Sequence, residues 1–267
     1  MKAFFVAAVY GPLYNGLVLL ISILPGGNAG FAVIIFTLII KLALFPLSTK
    51  ATRTQLKMRE MESGMNVIKE KYKNNKEEQA RAIMSFYKEN GINPFSGLLL
   101  VLIQIPILLS LYFMFFRGLP VLQEHLLYSF VPVSEVGMHF LGIFDLSQSS
   151  FILAFLAALT QYFQIRLAMP LPSQNGSAKG DFKQDLAKSL NSQMRIMMPI
   201  LIFVILYPFP PFSRIFPTIP SVIALYWITS NLFAIGQELY MRNKVKAEKQ
   251  QKDSQQKISG KVAYGGK

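Results

Sequence analysis

A single lysine inside a run of apolar residues is the side chain with the clearest potential chemistry in this sequence. Lys41 interrupts the apolar stretch from about Phe31 to Leu47. A cation in the middle of a membrane-spanning helix costs about 2.5–3.5 kcal/mol on insertion scales and usually faces a water-filled cavity or a partner. The alternative is a lysine whose stem reaches back to the aqueous interface. Lys50, the first charge beyond the run, is ~13 Å further along a helix, and this distance favours the cavity.

Polar side chains in other apolar runs can join Lys41 in such a cavity. Thr37 precedes Lys41 by one helical turn and shares its face. A lone glutamine in a span is more simply a hydrogen bond between helices, worth about 0.6 kcal/mol. The whole set, with a cation and without a mid-span carboxylate to pair with it, favours a hydrated groove. Besides Lys41 and Thr37, the predicted groove residues are Gln104, Gln161, Gln164, Tyr226, Trp227 and Asn231.

Catalytic and metal-binding signatures are absent from the sequence. It contains no HExxH, GxSxG or Walker lysine loop, which are the patterns of common metalloproteases, hydrolases and nucleotide-binding proteins. His125 and His139 share one loop with Glu135 and Asp145 but lack metal-ligand spacing. The chain has no cysteine, which excludes a thiol nucleophile and a thiolate metal site. We therefore expect neither an enzyme nor a bound cofactor.

The composition is that of a membrane protein. Of the 267 residues, 52% are hydrophobic and 15% charged, whereas a soluble domain carries about 25% charged residues. The net charge of +13 alone would also suit a nucleic-acid binder, but the long apolar runs favour the bilayer. A membrane-spanning helix needs roughly 20 mainly apolar residues. We predict an all-α membrane protein with five transmembrane helices, at about Phe31–Leu47, Gly97–Phe116, Ser150–Met169, Met194–Tyr207 and Thr218–Tyr240.

Lysine and arginine gather in every second loop. They are frequent between the first two spans, between the third and fourth, and after the fifth, whereas the loop from Gly118 to Ser149 has none. Basic loops remain on the cytoplasmic side of a membrane. The pattern therefore predicts a multi-pass membrane protein, with its N-terminus outside and its C-terminus in the cytoplasm.

Three further segments complete the predicted organisation. Residues 1–30 are apolar but interrupted at Gly11-Pro12, and we predict a helix lying in the membrane interface, with a retained signal-like segment as the alternative. Within the 31–240 core, residues 52–93 carry apolar positions at spacings of three and four, which indicates a cytoplasmic hairpin of two helices ending near Gly91 and Pro94. Residues 241–267 form a basic tail, which would contact either ribosomal RNA or anionic lipid.

Several ordered blocks resemble the YidC/Oxa/Alb membrane protein insertase family, in its short bacterial form. These blocks are Thr37 to Leu47, Gly91 to Phe95, Leu102 to Ile107, Ser110 to Met114 and Leu225 to Leu232. The resemblance extends from about Gly11 to Asn243. It implies five core helices around a groove that opens to the cytoplasm and the lipid and is closed on the outside. In that family the groove carries one arginine, and this chain has Lys41 at that position.

The resemblance implies an insertase that guides nascent membrane proteins into the bilayer, with the ribosome and the Sec translocon as further expected partners. Lys41 would attract acidic residues of a substrate tail, and the other groove residues would form transient hydrogen bonds to it. Lysine keeps the charge of arginine but lacks its planar fork of donors. The alternative function is a small anion-binding channel or solute carrier, which Lys41 alone would also permit.

Overall fold

The described part of the chain is mostly helical. The structure, a computed structural model, describes residues 2–93, 95–117, 122–133, 135–168, 182–210 and 218–264. A π-helical turn, Val6–Tyr10, joins the first two helices, and one small antiparallel hairpin is formed by β1 (His139–Phe140) and β2 (Phe144–Asp145). In chain order the helices are α1 (Lys2–Phe5), α2 (Gly11–Ile23), α3 (Ala29–Ala43), α4 (Phe45–Glu60), α5 (Glu62–Lys71), α6 (Lys76–Glu89), α7 (Ser96–Arg117), α8 (Phe151–Ala168), α9 (Phe182–Leu206) and α10 (Ser221–Tyr264).

The fold divides into two compact units. The first unit comprises Met1–Phe45 and Val101–Ile235, and the second comprises Pro46–Leu100 and Gly236–Lys267. The hydrophobic core of the first unit draws buried side chains from α2, α3, α7, α8, α9 and α10. The predicted boundaries at Pro94, Met169 and Lys267 lie outside the described residues.

Among the described residues, three helical segments are long and apolar enough to cross a membrane: Val6–Ile23, Ser96–Phe116 and Phe151–Ala168. Helices α3 and α4 meet the same criterion only together, as a broken pair, and the apolar stretch Gln193–Leu206 is shorter. Along α10, polar residues such as Asn231 and Gln237 lower the mean hydropathy. The prediction of an all-α membrane protein is confirmed in this coarse form, whereas the number of five spans stays a prediction.

The helix that carries Lys41 is shorter than predicted. Helix α3 ends at Ala43, and α4 begins at Phe45, so one unbroken helix from Phe31 to Leu47 was wrong. Pro46 explains the break, because proline has no N–H to donate to the carbonyl four residues earlier, and its ring would clash with that carbonyl in a continuous helix. Lys41 consequently lies in the last turn of α3.

The N-terminal segment is also more regular than its sequence suggested. The Gly11 N–H donates to the Val6 carbonyl in a π-helical turn, and Pro12 occupies the first turn of α2. Proline is tolerated in a first turn, since its missing N–H costs no hydrogen bond there. The predicted interruption at Gly11-Pro12 was therefore wrong. Tyr14 and Val18 of this helix are buried in the core of the first unit, while its predicted interfacial position stays a prediction.

In the second unit, α5 and α6 pack against each other in opposite directions. The Gln79 side chain donates to the Lys69 carbonyl at 2.7 Å, and the Tyr87 hydroxyl donates to the sulfur of Met65 at 2.6 Å. The Asn75 side chain accepts from two backbone N–H groups in the first turn of α6, as an N-cap does. The predicted first helix of residues 52–93 is divided at Met61, where α4 ends and α5 begins.

The loop between α7 and α8 folds back onto α2 and α3. The Asn15 side chain donates to the Leu126 carbonyl and accepts from the Tyr128 N–H. The β-hairpin turns through Leu141 and Gly142, whose φ angles are 54° and 69°. Left-handed backbone costs a residue other than glycine about 1–2 kcal/mol, so Leu141 is held in a strained conformation.

Gly30, in the first turn of α3, permits close contact with this loop. A Cβ atom at Gly30 would lie 2.2 Å from Cδ2 of Phe140, a buried ring. We expect Gly30→Ala to lower the free energy of unfolding by about 1–3 kcal/mol, because the ring must move in a packed core. Gly236→Ala is the control, since nothing lies within 4 Å of its Cβ position, and alanine in a helix interior should stabilise by roughly 0.5–1 kcal/mol. Thermal unfolding in detergent measures both, and equal effects would contradict the prediction.

Candidate functional site

Lys41 is a half-buried cation near the end of an apolar helix. Within the part of the chain that the structure describes, its ammonium forms no hydrogen bond or ion pair. One turn earlier, the Thr37 side chain is 1% exposed. Its hydroxyl donates to the Val33 carbonyl of the same helix at 2.6 Å. The Thr37 proton is thus used within α3, and Lys41 is the group on this face that has donors to offer.

The polar residues of α10 have partners on two neighbouring helices. The Gln104 amide of α7 donates to the Tyr226 hydroxyl at 3.3 Å. The Trp227 indole N–H donates to the side-chain oxygen of Gln161 of α8 at 2.9 Å. Asn231, one turn after Trp227, donates to the hydroxyl of Thr160 at 3.2 Å. These pairs bring together predicted groove residues from three helices of the first unit.

On α8, the hydrogen bonds between these polar side chains continue along the helix. The Gln161 amide donates to the Gln164 side-chain oxygen at 3.2 Å, so Gln161 links Trp227 to Gln164. Both glutamines are half-buried. Each polar group in this region therefore has another side chain as a partner, which is the arrangement that a non-aqueous environment demands.

The structure brings six of the eight predicted residues into these pairs: Gln104, Tyr226, Trp227, Gln161, Gln164 and Asn231. Lys41 and Thr37 lie on α3 and contact none of them through a described hydrogen bond. Thr160 was missed by sequence reasoning. Its place before Gln161 and one turn before Gln164 was the available signal, because residues at this spacing share a helix face.

The pair of Trp227 and Gln161 gives a direct optical test, because Trp227 is the single tryptophan of the chain. We expect Gln161→Leu to shift the tryptophan emission to shorter wavelength, since the indole N–H loses its hydrogen-bond acceptor and gains an apolar neighbour. Gln164→Leu is the matched control, because it leaves the bond between Trp227 and Gln161 in place. An emission maximum that stays unchanged in Gln161→Leu would show that the bond is not formed in the membrane.

An apolar cleft separates α8 from α9 within the first unit. It has a volume of about 420 Å³ and is lined by Phe155, Ala158, Leu159, Tyr162, Ile196, Pro199, Ile200 and Phe203. Its lining offers almost no polar surface. In the described residues no group of three His, Cys, Asp or Glu side chains could hold a metal ion. The predicted groove residues therefore offer one cation, Lys41, and a set of neutral hydrogen-bonding groups.

The second unit contains an ion cluster that connects α4 to α10. Glu238 is buried and contacts two arginines, Arg59 at 3.5 Å and Arg242 at 3.0 Å. One guanidinium nitrogen of Arg59 is buried without a hydrogen-bond partner in the described residues. Glu238 lies near the end of the predicted span Thr218–Tyr240. Two cations thus share one buried carboxylate.

Comparisons with known proteins show the family of the chain. A family model described as 60Kd inner membrane protein matches residues 21–250. The membrane protein insertase YidC of Clostridium perfringens is 34% identical over 238 residues, which is 85% of this chain and 87% of that protein. The protein of the same name from Clostridium tetani is 33% identical over 233 residues, with 86% and 89% covered.

A longer relative matches in one part only. The membrane protein insertase YidC of Francisella tularensis subsp. novicida is 30% identical over 214 residues, which is 79% of this chain but 32% of that protein. The short Clostridium proteins, in contrast, match along most of their length. The chain therefore belongs to the 60Kd inner membrane protein family, the YidC membrane protein insertases, a family that is not enzymatic.

Proposed function

We propose that the chain guides nascent membrane proteins into the bilayer through a hydrophilic groove that carries Lys41 as its one cation. The single observation that carries the proposal is the set of polar side chains on facing sides of α7, α8 and α10 in a family of insertases. Polar residues inside membrane helices are costly and usually functional. A groove lined by such residues gives a polar substrate segment a partly hydrated path.

The physical problem in insertion is the substrate's hydrophilic tail. Unsatisfied polar groups cost several kcal/mol each in hydrocarbon, and a groove that extends partway across the membrane shortens the barrier. Gln104, Gln161 and Trp227 exchange their hydrogen bonds within the protein for bonds to the passing tail. Because these bonds are neutral and weak in membranes, about 0.6 kcal/mol each, they exchange readily. The substrate's apolar helix then moves sideways into lipid, driven by the hydrophobic effect.

Lys41 supplies the long-range part of the attraction. It is half-buried and has no ion pair in the described residues, so its charge is available to acidic residues in the tail. An attraction between unit charges at 4 Å is about 4 kcal/mol at an effective dielectric constant near 20 but about 1 kcal/mol in water. Lysine holds a carboxylate as a point charge and not through a two-pronged fork. The resulting attraction is strong enough to bind a tail and weak enough to let it dissociate.

We infer the membrane orientation and the further partners from charge. The N-terminus lies outside and the C-terminus in the cytoplasm, because the basic loops would then face the cytoplasm. The helical hairpin of α5 and α6 receives the nascent chain, and the basic tail from Arg242 onward binds phosphates of ribosomal RNA or anionic lipid. We include in this proposal that the chain acts beside the Sec translocon.

Insertion and ion conduction separate this function from that of an anion channel. We expect vesicles containing the purified chain to insert a single-spanning protein with an acidic tail, measured by protection of the tail from protease. Vesicles without the chain provide the control. In a planar bilayer the same protein should pass no steady anion current. A sustained anion conductance together with insertion no better than in empty vesicles would overturn the proposal in favour of a channel.

A further inference from the structure

The tip of the β-hairpin between α7 and α8 exposes two large aliphatic side chains. Leu141 is 58% exposed and Ile143 is 77% exposed. They flank Gly142 at the turn, while His139 and Asp145 face each other at the opposite end of the hairpin. The hairpin is thus apolar at its tip and polar at its base.

The base of the hairpin is attached to the beginning of α3. The Asn28 side chain donates to the His139 carbonyl at 2.9 Å, and the Ala29 N–H donates to the Gly137 carbonyl at 2.9 Å. The Phe140 ring packs edge-on against Phe31, with ring centroids 5.1 Å apart. The hairpin therefore lies at the N-terminal end of α3, at the edge of the apolar part of the first unit.

The same end of α3 exposes other apolar side chains. Phe31 and Ile35 are exposed on α3. Phe151, the first residue of α8, is exposed as well. In a membrane protein such faces contact lipid. The apolar hairpin tip continues this lipid-facing surface, because Phe140 at its base contacts Phe31.

The turn itself departs from the usual chemistry of hairpins. A tight turn with positive φ at two successive residues strongly prefers Asn-Gly or Asp-Gly, but this turn has Leu141-Gly142. In water, leucine at this position would combine backbone strain with an exposed apolar side chain. Contact of the tip with lipid removes the cost of exposing the apolar side chain to water. Meanwhile, two hydrogen bonds from Ser147 lower the pKa of the Asp145 carboxyl, which keeps the base of the hairpin charged and hydrated.

We propose that this hairpin is an interfacial anchor, whose Leu141 and Ile143 side chains insert into the lipid leaflet at the N-terminal end of α3. Shallow burial of a few apolar groups at the boundary between headgroups and acyl chains is a common mode of membrane contact. The anchor fixes the loop between α7 and α8 at the membrane surface. It depends on the family's membrane location and is independent of the substrate groove.

Site-specific labelling tests the anchor. Because the chain has no native cysteine, only the introduced cysteine is labelled. Ile143→Cys is labelled with an environment-sensitive fluorophore in the full chain, reconstituted in phosphatidylcholine vesicles. Glu135→Cys is the matched control, because Glu135 is an exposed residue of the same loop. We expect the label at 143 to emit at shorter wavelength than at 135, and nitroxide groups placed at shallow depth on the lipid to quench it at least twofold more. Iodide in the water should quench the label at 135 more strongly.

Equal quenching of the two labels by lipid nitroxides would overturn the proposal. Protection of the label at 143 from iodide without quenching by lipid would also overturn it, since a protein partner would then cover the tip. A second variant guards against an effect of the label itself. In the Leu141→Asn background, which suits the left-handed backbone, lipid quenching of the label at 143 should fall at least twofold. The Trp227 emission should remain unchanged, as evidence that the fold is intact.

Discussion

Glu238→Gln is expected to lower the free energy of unfolding by about 3–5 kcal/mol, the cost of removing one partner from a buried ion pair. The Glu238 side chain is 10% exposed and accepts from Arg242 while contacting Arg59. Without its charge, Arg59 and Arg242 would remain close together after losing the carboxylate that they share. One Arg59 nitrogen already lacks a hydrogen-bond partner among the described residues. Thermal unfolding in detergent micelles measures the loss.

Glu248→Gln is the matched control for this prediction. Glu248 is also on α10 and also pairs with an arginine of α4, but the side chains of Arg53 and Glu248 are 48% and 35% exposed. Pairs of this kind contribute about 0–1 kcal/mol, so a small change is expected. Arg59→Met in the Glu238→Gln background should recover part of the lost stability, because it removes one uncompensated charge. Equal destabilisation by Glu238→Gln and Glu248→Gln would refute the role given to Glu238.

Lys41→Ala is expected to reduce insertion of a substrate with an acidic tail at least tenfold, whereas Lys41→Arg should keep most of it. The alanine variant loses the cation that attracts the tail, and the arginine variant retains it. A tenfold change corresponds to about 1.4 kcal/mol, well within the attraction available to a partly desolvated pair. Protease protection of the tail in vesicles measures insertion.

Two comparisons make the Lys41 result specific. Lys50→Ala removes an exposed lysine and should leave insertion unchanged. A substrate with a neutral tail should lose less than threefold on Lys41→Ala, because its attraction to the groove does not depend on charge. If the neutral and acidic substrates lose equally, Lys41 acts through the structure of the groove and not through its charge.

Long apolar runs could be predicted well from the sequence. The predicted span from Gly97 to Phe116 corresponds closely to α7, and that from Ser150 to Met169 corresponds to α8. The positions where helices break were harder to predict, because a proline can end one helix or begin another, depending on its neighbours. Pro46 marks the start of α4 after a break, whereas Pro12 lies in the first turn of α2, directly after a π-helical turn that joins α2 to α1.

The sequence indicated which polar residues need a partner, but not which of them pair with each other. A polar side chain in a span needs a partner, and this rule selected Gln104, Gln161 and Trp227. Which residues pair depends on how the helices face each other, and no periodicity in one sequence contains that information. The exposed β-hairpin tip was not predicted from the sequence, for a different reason. Leu141-Gly142 carries no asparagine or aspartate, so the usual signal of a tight hairpin turn was missing.

The most direct test of the groove is to locate the substrate tail while it crosses. A photoreactive amino acid is placed at Gln104 or Gln161, on the polar faces of α7 and α8, and at the exposed apolar residues Leu109 and Phe163 of the same helices. A ribosome-bound nascent chain with an acidic tail then serves as substrate. We expect crosslinks to the tail from positions 104 and 161 and not from 109 and 163. Crosslinks of equal yield from all four positions, or from the apolar positions alone, would contradict a polar route across the membrane.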